Sequence, residues 1–150
     1  MKNTMPITTS QPEMFFETEH DMLDCMHEWQ RKLGLSDWFI AGRICQAEDM
    51  TLEDCAGESE VQFVNKTGLI SLLRPEELPT DSLLKQPMEQ TLIHELLHFL
   101  FIGFEVKNRE EAVFDIIQHQ TIETLAKALY MAKYNLGSDW FIAESHKEEI

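Results

Sequence analysis

His94, Glu95 and His98 stand at the one spacing in this chain that could do metal chemistry, in the stretch Thr91-Leu92-Ile93-His94-Glu95-Leu96-Leu97-His98-Phe99-Leu100. On a helix, positions i and i+4 lie one above the other, so the two imidazoles point the same way. Two neutral imidazoles on one face grip a borderline-soft divalent ion such as zinc. Glu95 is placed to reach a metal-bound water without ligating the metal, which is what a general base requires. Leu92, Ile93, Leu96, Leu97, Phe99, Leu100, Phe101 and Ile102 make the segment apolar nearly all round, the pattern of a buried helix. Ionisable groups on such a helix are expensive unless paired or metal-bound. The plain alternative is an ordinary amphipathic helix with two solvated histidines. Against it, the segment has no polar face except the one these residues make. One zinc per chain is therefore expected.

The elements that must hold this stretch follow from the rest of the chain. At 150 residues one domain is the default, large enough to bury a core. Twelve Lys and Arg against 27 Asp and Glu give a formal charge of −15. That excludes the basic footprint a nucleic-acid-binding surface needs. It fits basic partners, or an acidic decoy that imitates nucleic acid. Cys25, Cys45 and Cys55 have no Cys-x-x-Cys spacing and read as reduced thiols of a cytoplasmic protein. No signal-peptide core and no run of about 18 apolar residues is present, so no membrane span is expected.

Residues 1–12 read as a mobile leader and 13–135 as the domain. Glu13 to Leu33 carries apolar residues at helical spacing and stops at Gly34. His20 and His27 on it read as solvated or capping. Asp37 to Glu48 predicts a strand, bulged at Gly42. Asp49 to Glu60 is a polar connection. Val61–Asn65 and Leu69–Leu73, joined by Lys66-Thr67-Gly68, predict a hairpin. Pro87 suits the first position of the histidine helix, and Gly103 its end. Residues 108–134 predict a second strong helix capped by Asn108. At about 100° per residue, His119, Glu123, Ala126 and Tyr130 share one stripe along it. The elements together predict an α+β fold.

In element order, residues 20–134 resemble a minimal zincin of the gluzincin type, and are similar to small metallopeptidase-like proteins encoded by phages and prophages. Only His94 to His98 is a specific motif. The resemblance implies a small twisted sheet packed on an N-terminal helix, the His-Glu-x-x-His helix and a following ligand-bearing helix. In gluzincins that last helix carries Glu-x-x-x-Asp; the Glu binds zinc and the Asp orients a histidine. The counterpart by spacing here is His119-Gln120-Thr121-Ile122-Glu123, which departs from the pattern by a His for the Glu and a Glu for the Asp. Imidazole is a good zinc ligand and a carboxylate is the usual outer partner of a ligating histidine. His94 and His98 are thus expected as ligands, with His119 ranked ahead of Glu123 for the third place. Glu111 and Asp115 match Glu-x-x-x-Asp literally, but begin close behind His98 and rank lower. The metzincin pattern is missing, since Phe99 to Glu105 offers no histidine.

The resemblance further implies peptide-bond hydrolysis. Glu95 would be the base, and Tyr130 a donor to the oxyanion. A peptide or protein substrate would lie extended beside an exposed edge strand, for which Gly68 to Leu73, with Gly68, Leu69, Ile70 and Ser71 in contact, is the candidate; an interior strand with no ligand is the alternative. The rival is a non-catalytic zincin-like binding or regulatory protein, an acidic nucleic-acid mimic of phage origin among them. Residues 136–150 form a tail. In it Ser138-Asp139-Trp140-Phe141-Ile142-Ala143 repeats Ser36-Asp37-Trp38-Phe39-Ile40-Ala41 letter for letter. Its aromatic, β-forming composition predicts docking onto protein surface, on the chain itself or as a swapped segment in a homodimer. The alternative is a frayed terminus.

Overall fold

The computed structural model describes residues 12–78, 86–102 and 111–146. Its elements are α1 (Glu19–Lys32), β1 (Phe39–Cys45), β2 (Gly57–Gln62), β3 (Thr67–Leu73), α2 (Met88–Phe101), α3 (Glu111–Tyr134) and α4 (Ser138–His146), with single 3-10 turns at Ala47–Asp49 and Pro75–Glu77. The architecture is α+β: a small mixed sheet and four helices among the described residues. The expected leader, except Pro12, and the expected caps at Gly103 and Asn108 lie outside the described residues.

The first helix starts later than its apolar spacing predicts, because Thr18 caps it. The Thr18 hydroxyl accepts from the Asp21 amide at 3.1 Å, and Glu19 and Asp21 complement the positive end of the helix. Gly34, at φ +72°, closes the other end as expected. Met22, Met26 and Trp29 form its buried face.

The sheet order is β1-β3-β2, with β1 parallel and β2 antiparallel to β3. A hairpin forms, but not with the expected bounds: Thr67 and Gly68 pair with Gln62 and Val61 inside the strands, the connection is residues 63–66, and β2 begins at Gly57, within the expected polar connection. Two further expectations need correcting. The register of β1 on β3 runs unbroken from Phe39↔Thr67 to Cys45↔Leu73, so Gly42 makes no bulge. It lets α1 approach instead: a Cβ there would stand 3.1 Å from both Leu23 Cδ2 and Met22 Cε. Nor is Gly68 to Leu73 an edge. β3 is the central strand, and Ile70, Ser71, Leu72 and Leu73 are buried. A near-continuous apolar run is the mark of a strand covered on both faces. Gly68 lies under Phe99 of α2, where a Cβ would come within 2.4 Å of the ring. Gly68, Leu69, Ile70 and Ser71 therefore offer no free edge to a substrate.

Met88 through Leu97 of α2, and Phe99, are all buried. The helix lies between α1, the sheet and α3. Burying an aliphatic side chain such as Leu92, Ile93 or Leu96 contributes about 1.5–3 kcal/mol. α3 runs antiparallel to α2, which the pairing of Glu89 with Lys133 and Tyr134 fixes at one end. The buried Glu89 carboxylate also accepts from Trp29 Nε1 at 2.8 Å. One carboxylate thus ties three helices together, and its charge is balanced by Lys133.

The tail docks, but as a helix rather than in an extended form. Trp140 and Phe141 of α4 are buried against Tyr130 of α3, with ring centroids 6.1 and 6.2 Å away. Trp140 and Phe141 belong to the same core as α1–α3. In the first copy of the hexapeptide, Trp38 packs edge-on against Phe99 at 5.1 Å and Phe39 begins β1, 79% exposed. Six identical residues adopt two structures because tertiary contacts outweigh local propensity. Among the described residues no helix is long and apolar enough to cross a membrane.

Candidate metal centre

The i, i+4 spacing on α2 and the antiparallel approach of α3 bring three imidazoles together. His94, His98 and His119 each offer one nitrogen, and these atoms lie within 4.8 Å of one another. His94 Nε2 and His98 Nε2 face each other at 3.2 Å. Two nitrogens bound tetrahedrally at zinc distances of about 2.0–2.1 Å are about 3.3–3.4 Å apart, so the helical pair is already at ligand spacing. The His119 ring centroid is 4.7 Å from that of His94 and 6.2 Å from that of His98. His119 is the exposed member, so closing around an ion asks only for a side-chain adjustment on the open side.

Glu123 stands one turn further along α3, and its Oε1 is 3.1 Å from His94 Nδ1. The two atoms are in contact, though His94 Nδ1 has no partner in full hydrogen-bond geometry. Of the two residues named for the third place, His119 joins the nitrogens and Glu123 sits behind His94. The contact favours a proton on Nδ1, which leaves the Nε2 lone pair facing His98 and His119.

Burial acts on all three rings, but not with the same outcome. Burial, then the neighbouring His94 and His119, push His98 down to about 4. Burial and His94 also lower His119. For His94, burial pulls downward, but Glu123 and Glu95 outweigh it and hold the ring above its ordinary value. The His94 contact draws Glu123 below the carboxylate range.

Glu95 is 5% exposed and turns toward the sheet. Burial raises its pKa, against the opposing pull of His94 and then of Ser59 on β2. Gly57 on the same face of β2 makes room: a Cβ there would be 2.7 Å from Thr91 Cγ2 and 3.3 Å from Glu95 Cγ. β2 is one of the two outer strands of the sheet, and its Gly57 packs against α2.

Tyr130 does not join the site. It is eleven residues past His119, roughly 16 Å along the helix axis at about 1.5 Å per residue. It is 0% exposed and enclosed by Tyr134, Trp140 and Phe141. The stripe it shares with His119 is long enough to run from the metal end of α3 into the core. Asp115 is exposed outside the cluster, and so are His20, within 3.4 Å of Asp24, and His27. Ser59, Gly57 and Gln86, which bonds Thr91, are neighbours that the sequence does not point out. Only the strand period that puts 57 and 59 on one face could have pointed to the first two. The chain matches no known protein-family profile, no curated protein and no solved structure.

Proposed function

We propose that this chain is a zinc-dependent peptidase of minimal zincin type. The observation that carries the reading is the convergence of His94, His98 and His119, with the buried carboxylate of Glu95 one residue from the first of them. The donor set fits zinc: three imidazoles, the helical pair at tetrahedral spacing, and a carboxylate behind one ring. Zinc, when bound, supplies a Lewis acid that makes water nucleophilic at neutral pH. Glu95 would be the general base, accepting a proton from the attacking water and passing it to the leaving amine. Ser59 holds the Glu95 side chain against β2, and Glu123 holds the His94 ring. A peptide substrate lies extended along the free edge of β2, Gly57–Gln62, adding a strand to the sheet.

The test is a pair of measurements on the wild type and Glu95→Gln. Both should retain zinc, and only the wild type should cleave a broad peptide library, because an amide cannot accept the proton. Equal cleavage by both proteins contradicts the role of Glu95. Zinc binding without cleavage by either favours a non-catalytic zincin-like binding protein.

A further inference from the structure

A cleft apart from the metal centre lies between the chain ahead of α1, α1 itself and the last turn of α3. It encloses about 540 Å³, and none of His94, His98 and His119 lines it. That volume is the size of a small-molecule site. The floor is buried polar chemistry, Glu89 with Lys133 and Tyr134 on its two oxygens. One wall is apolar, formed by Met14, Phe15 and Phe16. The Met88 amide donates to the Met14 carbonyl at 2.9 Å and holds that wall to the start of α2. Six acids line the cleft, Glu13, Glu17, Asp21, Asp24, Glu28 and Glu89, against one cation, Lys133. We propose that the cleft binds a linear aliphatic polyamine, with its ammonium groups along Asp21, Asp24 and Glu28 and its methylenes on the wall of Met14, Phe15 and Phe16.

The acids select the charge of the ligand, and their placement selects its shape. Lys133 is taken up by Glu89 and Glu28, and Glu28 also holds Lys32 at 2.7 Å. Asp24 faces His20 at 3.4 Å. Glu13, Glu17 and the Asp21 carboxylate have no cationic partner among the described residues, so the cleft repels anions and attracts cations. These carboxylates do not converge on a point: among the described residues the histidine cluster is the one group able to close on a single ion. Asp21, Asp24 and Glu28 stand instead at i, i+3 and i+7 on one face of α1. Successive members are about 4.5 and 6 Å apart along the axis, and nitrogens separated by three or four methylenes in an extended chain are about 5–6 Å apart. The rings of Phe15 and Phe16 suit both methylenes and ammonium groups. Behind the floor, the Tyr130 hydroxyl is fully buried and has no hydrogen-bond partner among the described residues. Burial, then Glu89, Tyr134 and Cys25, raise its pKa, and all three of those residues line the cleft. The hydroxyl thus faces the floor, where an ammonium at the inner end supplies the missing partner.

The test is titration calorimetry of the full chain with the triamine spermidine in about 0.15 M salt, where diffuse attraction between exposed charges is screened. One spermidine per chain is expected. Replacing Asp21→Asn and Asp24→Asn together should weaken binding about fivefold or more, since two exposed ion pairs are lost. Both side chains are exposed, so neither change disturbs the core. Glu76→Gln removes an exposed charge outside the cleft and should leave the affinity within about twofold. Magnesium at the same concentration should not displace the triamine. In 15N spectra the amides of residues 13–17 and 21–28 should shift on titration. No saturable binding, a loss in Glu76→Gln equal to that in the double variant, or shifts spread evenly over the acidic surface overturns the proposal. So does tighter binding of trilysine than of spermidine, which would make the cleft a site for basic peptides.

Discussion

Replacing Gly57 by alanine should wedge β2 away from the histidine helix. A Cβ at this position would lie 2.7 Å from Thr91 Cγ2, 3.1 Å from Leu72 Cδ2 and 3.3 Å from Glu95 Cγ. Carbon atoms settle at about 3.5–4.0 Å, so the clash with Thr91 is about 1 Å deep. Thr91 cannot turn aside at no cost. It is buried, β-branched and helical, and its hydroxyl accepts from Gln86 at 3.0 Å. Overpacking of this kind costs about 1–3 kcal/mol. For a chain of 150 residues each kcal/mol moves the melting temperature by about 2–4 °C, so Gly57→Ala should melt about 2–12 °C below wild type. Calorimetric melts of wild type, Gly57→Ala, Thr91→Ser and the double variant test the cause. Thr91→Ser removes the clashing methyl and keeps the hydroxyl, so the alanine penalty should shrink by about 1 kcal/mol or more in that background. A Gly57→Ala protein that melts with wild type, or a penalty equal in both backgrounds, refutes the close approach of β2 to α2.

Three other outcomes follow from the same contacts. Alanine at His119 should weaken zinc binding more than alanine at Glu123, since the first removes a donor nitrogen and the second an outer partner; equal losses in chelator competition would contradict the assignment. Trp140→Ala or Phe141→Ala should cost about 2–4 kcal/mol in denaturant unfolding, below the full core value because α4 can undock, and truncation after Asn135 should cost at least as much. Tyr134 is pushed up to about 12 by burial, then by its hydrogen bond to Glu89 and the charge of Glu89, so the folded state holds its proton more tightly than the unfolded chain does. Its contribution is complete below the ordinary tyrosine value of about 10 and is lost as pH rises toward about 12; Tyr134→Phe should be less stable at neutral pH and show a shallower alkaline loss in melts across that window.

The histidine helix was legible because one segment carried both signals, an apolar surface on every side and a polar pair at i, i+4. His119 was legible through spacing, and its partner Glu123 through helical periodicity. That same periodicity misplaced Tyr130: a stripe reports direction around a helix axis and nothing about distance along it. For Gly68 to Leu73 the sequence leaves edge and interior strand both open, and the unbroken apolar run belongs to the interior one. The hexapeptide at 36–41 and 138–143 sets a limit of another kind. Its letters are identical, so its two structures come wholly from what each copy packs against, Phe99 in one case and Tyr130 in the other. The Glu89 clamp joins residues 29, 89, 133 and 134, and no local pattern links positions so far apart.

Zinc-edge X-ray absorption on the chain loaded with one equivalent of zinc tests the central claim most directly. Three imidazole nitrogens at about 2.0–2.1 Å, with the imidazole count falling to two in His119→Ala, are the predicted result. Loss of the zinc on dialysis from folded wild type, or a shell of thiolate sulfur at about 2.3 Å from Cys25, Cys45 or Cys55, would contradict it.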